Sequence, residues 1–503
     1  MPGAIPRIEY PELFFGFVSP VGTETDPVLD SFKSYFHRRS YRVVEVKVTS
    51  LFPALAHHVV PATALAQSPL EARIRSYIAC GNQIRAHFND DSILAAAAIH
   101  QLVRQRQRVA ATEGAVHEKT VYLLDQFKRQ EEIDLLRSVY GPLFFQVSIY
   151  SRRGERVEHL SRRLARSYNS PDASRHKATA EDIIRQDENE RDEPHGQRVG
   201  KIFHHADVIF NLDQQMPDHT EQVKRFCELI FSSNTISPTK AEFGMFAAKA
   251  AALRTLDLSR QVGAAIFSQD AEVISLGANE VPKGNGGSYW SDGPYDDREY
   301  ARGFDSNHQR KHELLSELAG LLAPGKDIDE LMRDPRVKDS QFMDALEYGR
   351  IVHAEMSAIL DASRLGRPLA GTHLYCTTFP CHICAKHIVA AGIAKVIFLE
   401  PYPKSLAADL HSDSIRVEGG DRGRYQHYPA VDFEHFNGIT PRRFRELFER
   451  GSRKDKLGRL QEYADGNPRP IVDIKVPLYA ELEKLALGRI PQAAASILAG
   501  GTE

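Results

Sequence analysis

Two stretches of the sequence decide the fold of the second half of the chain: VHAEMSAILDASR at residues 352–364 and HLYCTTFPCHICAK at residues 373–386. The first predicts the opening of a helix. In the second, HLYCTT predicts a strand, and CHICAK predicts the start of another helix. With KVIFLEP at residues 395–401 as the next strand, this alternation is typical of an α/β domain.

The same stretches contain His-x-Glu at residues 353–355 and Pro-Cys-x-x-Cys at residues 380–384. One imidazole and two thiolates give zinc three protein ligands and leave a fourth position for water, as catalytic zinc requires. Cys381 and Cys384 stand three apart at a predicted helix start, where both sulfurs can point to one side and the helix N-terminus favours thiolate. We therefore expect His353, Cys381 and Cys384 to bind Zn²⁺.

Glu355 lies two residues after the predicted histidine ligand, and the whole pattern is the signature of zinc deaminases. It predicts that metal-activated water attacks C4 of a cytosine ring while Glu355 carries protons to N3 and then to the departing amine. A structural zinc knuckle is the alternative, which the carboxylate disfavours. Cys376, on the preceding strand, is either a fourth thiolate or, as we favour, a small core residue.

At these residues the sequence resembles the deoxycytidylate deaminase family, over residues 240–440. LSRQVGAA at residues 258–265 and GANE at residues 277–280 extend the resemblance. It implies a three-layer α/β/α cytidine-deaminase-like domain that acts on free dCMP or dCTP. It also implies that Asn279 hydrogen-bonds the sugar and base of the substrate, although an asparagine in a turn is the alternative.

The layout of the whole chain resembles bacterial anti-phage dCTP deaminases, which place a nucleotide-kinase-like domain before such a deaminase. EPYPKSLA at residues 400–407 and LHSDSI at residues 410–415 are similar to the segment that follows the last core strand in those proteins. The resemblance implies depletion of dCTP during phage infection. We also predict a homo-oligomer, and a cytoplasmic location because the sequence has no secretory signal or membrane span. A regulatory RNA or a protein inhibitor is the partner that it suggests.

Recognition of the substrate phosphate requires cations. Arg260 and Lys404 lie near predicted strand ends that flank the pocket, and Ser405 can add a hydroxyl donor. Each residue taken alone is typical of a solvated surface, so the prediction depends on the three lying together.

The first part of the chain predicts a parallel α/β sheet, because apolar runs at residues 13–22, 40–50, 119–128, 142–151 and 206–212 alternate with helical stretches. The segment at residues 167–198 is rich in charge and poor in aromatics, which predicts a mobile arm ordered only in part. We predict a degenerate P-loop kinase-like domain at residues 1–215, a helical connection at 216–240, the deaminase domain at 241–440 and a helical C-terminal extension at 441–503.

GFVSPVGTE at residues 16–24 stands where a phosphate loop would, but it lacks the Gly-Lys-Ser/Thr ending whose lysine reaches the β and γ phosphates. Other parts resemble nucleotide kinases: Asp125 closes a predicted strand, and SRRGER at residues 151–156 is similar to their arginine-bearing lid. We expect a fold that senses a nucleotide or partner, or assembles the oligomer, rather than an active kinase. Its weak nucleotide-binding candidates are Gly16, Gly22, Thr23 and Asp125.

Composition limits the function classes. The net charge of −3 gives no global field that favours nucleic acid, so a polynucleotide deaminase is a disfavoured alternative. A non-catalytic, zinc-stabilised nucleotide sensor is a third hypothesis, which has no need of Glu355. Five cysteines, three of them closely grouped, favour a metal site in a reducing compartment over disulfides. We find no secretory signal and no apolar run of the ~18 residues that a membrane span requires.

A glycine-rich insertion at residues 281–340 adds two hypotheses. His308 and His312 lie four residues apart and could share a second metal, although an exposed polar helix is the favoured interpretation. A group of aromatic and acidic residues could form a lid over the nucleotide, namely Tyr289, Trp290, Asp292, Tyr295 and Asp296.

Overall fold

The computed structural model describes residues 7–59, 64–113, 117–190, 193–213, 218–338, 340–345, 347–402, 404–464, 466–492, 494–495 and 498. The chain divides into two compact units, the first comprising Met1–Pro238 with Asn437–Glu503 and the second Thr239–Phe436. Each unit is built around one six-stranded sheet.

The strands follow one another along the chain as β1 (Leu13–Val18), β2 (Arg42–Lys47), β3 (Thr120–Asp125), β4 (Phe144–Tyr150), β5 (Val208–Asn211), β6 (Gly263–Phe267), β7 (Val273–Ala278), β8 (His373–Thr378), β9 (Lys395–Glu400), β10 (Ile415–Val417), β11 (Val431–His435) and β12 (Gly438–Ile439).

The helices are α1 (Asp26–Arg38), α2 (Phe52–Val59), α3 (Leu70–Phe88), α4 (Ile93–Glu113), α5 (Gln130–Tyr140), α6 (Arg153–Ser167), α7 (Lys177–Glu188), α8 (Val199–Ile202), α9 (His219–Ile230), α10 (Lys240–Ala252), α11 (Glu299–Arg302), α12 (Ser306–Leu322), α13 (Ile328–Arg333), α14 (Pro335–Lys338), α15 (Ala354–Arg364), α16 (His382–Ala390), α17 (Ala407–Leu410), α18 (Phe444–Phe448) and α19 (Tyr479–Leu487). In the described part of the chain, no helix has both the length and the apolar character needed to cross a membrane.

The first sheet has the order β12-β5-β4-β1-β3-β2. Its five long strands run parallel, and β12 joins the β5 edge in the antiparallel direction. All six residues of β1 and all six of β3 are buried, because helices cover both faces of such a sheet. The predicted parallel α/β sheet is confirmed.

The charged segment after α6 contains a packed helix, so the prediction of a partly ordered arm at residues 167–198 is wrong for most of its length. Ala180, Ile183 and Ile184 of α7 are fully buried and belong to one core cluster with apolar residues of α6. Their spacing is that of one helix face. The average composition of the segment does not reveal this apolar face, because the other face of the helix is charged.

The chain returns to the first unit near its C-terminus. Strand β12 pairs with β5, and α19 packs against α4 and α5. Among the described residues after 440, α-helix is limited to α18, α19 and residues 492, 494, 495 and 498, so this part contains less helix than the sequence predicts. The division into four segments drawn from the sequence stays a prediction.

The second sheet has the order β10-β11-β9-β8-β6-β7. Strand β6 pairs antiparallel with both β7 and β8, whereas β8, β9, β11 and β10 run parallel to one another. The carboxyl ends of β8 and β9 therefore meet at one edge of the sheet.

Two glycines bring helices close to opposite faces of this sheet. Gly263 of β6 pairs with Ala278, and Gly277 of β7 pairs with the next residue of β6. Since side chains alternate between faces, Gly263 and Gly277 face opposite sides. A Cβ on Gly263 would overlap the backbone of Ala248 in α10, and one on Gly277 would overlap the backbone of Ala354 in α15. The sheet thus lies between α10 and α15, and the predicted three-layer α/β/α arrangement is confirmed.

Candidate metal centre and active site

Three side chains meet where two helices begin beside the second sheet. His353 is the N-cap residue of α15, Cys381 is the N-cap of α16, and Cys384 lies in the first turn of α16. Nδ1 of His353 is 3.3 Å from Sγ of Cys381 and 3.3 Å from Sγ of Cys384. The three ligand atoms lie within 4.8 Å of one another. The structure therefore brings together the three residues that the sequence predicts as metal ligands.

The donor set fits a zinc ion, because imidazole nitrogen and cysteine sulfur are ligands that zinc prefers. A hydrogen bond from Cys384 lowers the pKa of the Cys381 thiol to about 4, and the His353 imidazole lowers that pKa further. The same hydrogen bond, together with burial, raises the pKa of Cys384. The two sulfurs thus share one proton, as expected of thiols placed to give up their protons to a metal.

Glu355 lies beside the three ligands in the first turn of α15 and is 4% exposed. Its Oε2 is 3.5 Å from Sγ of Cys384. Burial raises the pKa of the Glu355 carboxyl, and the neighbouring Cys381 sulfur raises it further. A carboxyl whose pKa is raised in this way is suited to take up and release a proton near neutral pH.

Cys376 of β8 is fully buried and lies outside the group of three ligands. Its thiol hydrogen-bonds Glu355, and burial raises the pKa of this thiol well above its usual value. These contacts favour the core position over the role of a fourth ligand.

Asn279 follows β7, and its side chain joins three parts of the loop that precedes β6. Its Oδ1 accepts from the backbone N–H of Val262 at 2.7 Å, and its Nδ2 donates to Oδ2 of Asp257 at 2.5 Å and to the carbonyl of Arg260 at 2.8 Å. In this structure the Asn279 amide therefore braces the loop, and the contact with substrate stays a prediction. The sequence pattern does not single out Asp257, although it stands just before the matching LSRQVGAA stretch.

The two candidate phosphate ligands each already face a carboxylate. The guanidinium of Arg260 lies 5.4 Å from the centre of the Tyr402 ring and 3.5 Å from Glu400. Nζ of Lys404 lies 2.6 Å from Asp344, which follows the insertion in sequence. Burial raises the pKa of the Tyr402 hydroxyl, the charges of Asp344 and Cys381 raise it further, and those of Arg260 and Lys404 lower it.

The Ser405 hydroxyl forms a hydrogen bond within the protein. Its Oγ donates to the carbonyl of Pro380 at 2.8 Å, directly before Cys381. This contact supports the loop that carries the cysteines, and a bond from Ser405 to phosphate stays a prediction.

The insertion does not gather a second set of metal ligands among the described residues. His312 of α12 faces Asp329 at 3.5 Å, as expected of an exposed polar helix. Of the predicted lid residues, Trp290 is 53% exposed, where Arg254 lies 4.8 Å from its ring centre, and Tyr295 is 82% exposed. The lid stays a prediction.

The four nucleotide-binding candidates of the first unit lie in two strands and one loop. Gly16 lies within β1, where an added Cβ would lie 2.6 Å from the Phe144 ring, so it serves strand packing rather than a loop. Gly22 adopts a φ of +91° in the loop after β1. Thr23 follows it, and its Oγ1 is buried without a hydrogen-bond partner in the described structure. Asp125 closes β3, the strand beside β1.

Comparison with known proteins covers the region of the metal site. Residues 238–400 match the family described as the cytidine and deoxycytidylate deaminase zinc-binding region. A probable deoxycytidylate deaminase of Drosophila melanogaster is 38% identical over 110 residues, 21% of this chain and 53% of that protein. The deoxycytidylate deaminase of Mus musculus is 27% identical over 158 residues, 31% of this chain and 63% of that protein. The chain thus spans less than two thirds of either relative.

Among solved structures, the apo dCMP deaminase of cyanophage S-TIM5 aligns over 40% of this chain and 99% of that chain, with 15% identity and a TM-score of 0.23. A score this low carries no weight for the fold or the function. The matched region contains the whole group of His353, Cys381 and Cys384, so Zn²⁺ is the metal of the site. The chain therefore carries, at residues 238–400, a zinc-binding region of the cytidine and deoxycytidylate deaminase family.

Proposed function

We propose that the second unit hydrolyses the 4-amino group of a free deoxycytidine nucleotide, dCMP or dCTP, to give the uracil nucleotide and ammonia. The observation that carries the proposal is the buried carboxyl of Glu355, 3.5 Å from Cys384 and outside the group of three ligands. A structural zinc site has no use for such a group. The relatives of Drosophila melanogaster and Mus musculus, both named as deoxycytidylate deaminases, support the choice of substrate.

His353, Cys381 and Cys384 would hold the zinc ion, which when bound lowers the pKa of water so that it can act as a nucleophile near neutral pH. Glu355 accepts a proton from that water and delivers it to N3 of the cytosine ring. The water oxygen bonds to C4, and Glu355 takes the second proton from this oxygen and delivers it to the amine as the C4–N bond breaks, so that C4 becomes a carbonyl and ammonia leaves. The Cys376 thiol and the buried first turn of α15 keep this carboxyl in place.

Arg260 and Lys404 are proposed to bind the substrate phosphate, with Ser405 beside them. Both cations are at least partly exposed, and their present partners are the carboxylates of Glu400 and Asp344. A phosphate carries more charge than one carboxylate and can replace these partners.

The larger biological role rests on resemblance alone. We propose that the enzyme acts in the cytoplasm as a homo-oligomer, depletes dCTP during phage infection, and is restrained by an RNA or protein inhibitor. The first unit is proposed to be a degenerate P-loop kinase-like domain, because its loop lacks the phosphate-binding lysine. ATP hydrolysis that disappears in Asp125→Asn while deamination persists would contradict this assignment.

The test is ammonia release from cytidine, dCMP, dCTP, CTP and single-stranded DNA by the purified full chain. We expect dCMP or dCTP to be turned over fastest. Glu355→Gln should keep its zinc but lose at least ~100-fold in turnover, the contribution of a general acid and base. Glu449→Gln, an exposed carboxylate of the first unit, is the control and should match the native chain. Faster turnover of DNA than of any mononucleotide, or an active Glu355→Gln enzyme, would refute the proposal.

A further inference from the structure

A buried carboxylate lies against the loop that joins β1 to α1, residues 19–25, here called the glycine loop. Asp187, in the last turn of α7, is fully buried. Its Oδ2 accepts a hydrogen bond from the backbone N–H of Val21 at 2.7 Å, and its Oδ1 is 2.9 Å from Nζ of Lys128. Lys128 also donates to the carbonyl of Ser19 in the same loop at 2.9 Å. A backbone N–H and an ammonium thus converge on one internal anion.

Two arginines of α6 add positive charge at the same place. An added Cβ on Gly22 would lie 2.8 Å from the carbonyl O of Arg156, so this helix touches the glycine loop. Nη2 of Arg156 donates to Glu188 at 2.7 Å, and Nη1 of Arg153 donates to the same carboxylate at 2.6 Å. Nη1 of Arg156 is buried and has no hydrogen-bond partner in the described parts of the chain. The last two residues of α7 therefore supply the carboxylates for all three cations.

Backbone N–H groups that point into a concave loop, together with lysine and arginine side chains, are the donors that bind phosphate-type oxyanions in proteins. A carboxylate accepts the same hydrogen bonds. Because Asp187 is fully buried, accepts from Val21 and forms an ion pair with Lys128, a phosphate can reach Val21 and Lys128 only if Asp187 leaves.

We propose that the glycine loop of the first unit is an oxyanion site that is filled by the chain's own Asp187, with Glu188 holding the surrounding arginines. The native chain is therefore closed to phosphate-type ligands at this loop, and removal of the Asp187 charge opens it. This inference does not depend on the deaminase reaction, because every residue involved belongs to the first unit.

Calorimetric titration of the full chain with inorganic pyrophosphate tests the proposal. In Asp187→Asn the negative charge facing Lys128 is gone, so that an entering oxyanion can displace the neutral side chain from Val21 and Lys128. We expect this variant to bind pyrophosphate at least tenfold more tightly than the native chain, and Lys128→Met in the same background to remove the gain. Asp182→Asn, on the same helix but half exposed and paired with Arg75, is the matched control and should bind like the native chain.

Circular dichroism and the thermal midpoint establish whether each variant is folded. Should Asp187→Asn not fold, Glu188→Gln takes its place, because this side chain is partly exposed and its loss frees Arg153 and Arg156. A several-fold gain in pyrophosphate affinity is then expected. ATP is titrated in parallel. If ATP binds more tightly than pyrophosphate, the site prefers a nucleotide. If the two bind equally, the site recognises the phosphates alone.

A folded variant that binds pyrophosphate no more tightly than the native chain would overturn the proposal. A gain in affinity that persists after Lys128→Met would also overturn it. Neither result would bear on deamination, which is assayed separately in the second unit.

Discussion

The guanidinium of Arg298 lies 3.6 Å from the carboxylate of Glu280, and both side chains are 2% exposed. Glu280 directly follows Asn279 and accepts from the backbone N–H groups of Leu256 and Val281. Arg298 belongs to the insertion. This buried ion pair therefore fastens the insertion to the loop next to the metal site.

Loss of one partner from this pair should destabilise the second unit strongly. Arg298→Met leaves the Glu280 charge buried with only its backbone donors, for which we expect a loss of about 3 kcal/mol in the free energy of unfolding. Urea titration followed by the fluorescence of Trp290, the only tryptophan, measures it. Arg336→Met, an exposed arginine of the same insertion, should cost less than ~1 kcal/mol. Equal losses of unfolding free energy in the two variants would show that the buried pair stabilises the fold no more than the exposed arginine does.

Removal of one sulfur ligand should remove the metal. We expect Cys384→Ala to lower the zinc content from one ion per chain to near zero, because two ligands hold zinc far less tightly than three. Elemental analysis of the purified protein measures it. Cys376→Ala is the control, since this cysteine is equally buried but lies outside the ligand group. Zinc loss in Cys376→Ala as complete as in Cys384→Ala would show that Cys376 is a fourth ligand.

The meeting of His353, Cys381 and Cys384 could be predicted from the sequence because their arrangement is local. His353 begins one helix, Cys381 and Cys384 begin another, and the helix geometry alone sets which way they face. The zinc site and the layered second unit follow from these few residues. The parallel strands of the first unit could also be predicted, because their apolar runs are continuous.

What could not be predicted depends on contacts between distant residues. Nothing local indicates that Asp187 would meet Val21, which is 166 positions away, or that Arg298 would meet Glu280. Helix α7 was hidden for a related reason, since three apolar residues decide its packing within a charged segment. The short strand β10 has only three residues, too few for a periodic pattern.

Phosphate recognition should depend on the present partner of Lys404. Asp344→Asn removes the carboxylate 2.6 Å from the Lys404 ammonium, so a substrate phosphate no longer competes with it. Because an exposed ion pair of this kind is worth up to ~1 kcal/mol, we expect the KM for the nucleotide substrate to fall by up to about fivefold with kcat unchanged. Lys404→Ala should raise that KM. Neither variant should alter the KM for deoxycytidine, which has no phosphate, and a parallel change there would rule out this role.

Acid should destabilise the first unit through Glu12. Burial alone would raise its pKa, but hydrogen bonds from His117, Arg106 and Tyr479 and the Arg106 charge lower it to about 2. A carboxyl with a lowered pKa in the folded chain stabilises it fully above pH 4.5 and loses this effect as the pH falls towards 2. The difference in unfolding free energy between the native chain and Glu12→Gln should thus be ~3 kcal/mol at pH 6 and shrink at low pH. Urea titrations between pH 3 and 6 measure it, and a constant difference would contradict the assignment.

Asp125 should show the opposite dependence on pH. Burial raises the pKa of its carboxyl to about 6, against the opposing charges of Lys47 and Lys128, and neither of its oxygens has a hydrogen-bond partner in the described structure. Because the pKa of Asp125 is higher in the folded chain than in the unfolded chain, its contribution to the free energy of unfolding is highest below pH 3.8. This contribution falls as the pH rises from 3.8 through 6.

Asp125→Asn, which cannot ionise, avoids this loss. Its unfolding free energy relative to the native chain should therefore increase between pH 4 and pH 7, by up to ~3 kcal/mol. Urea titration across this range measures the change, with the exposed Asp134→Asn as control, for which no such trend is expected. If the Asp125→Asn difference does not change with pH, Asp125 remains ionised in the folded chain at pH 4, and a bound cation or a hydrogen-bond donor must stabilise its charge.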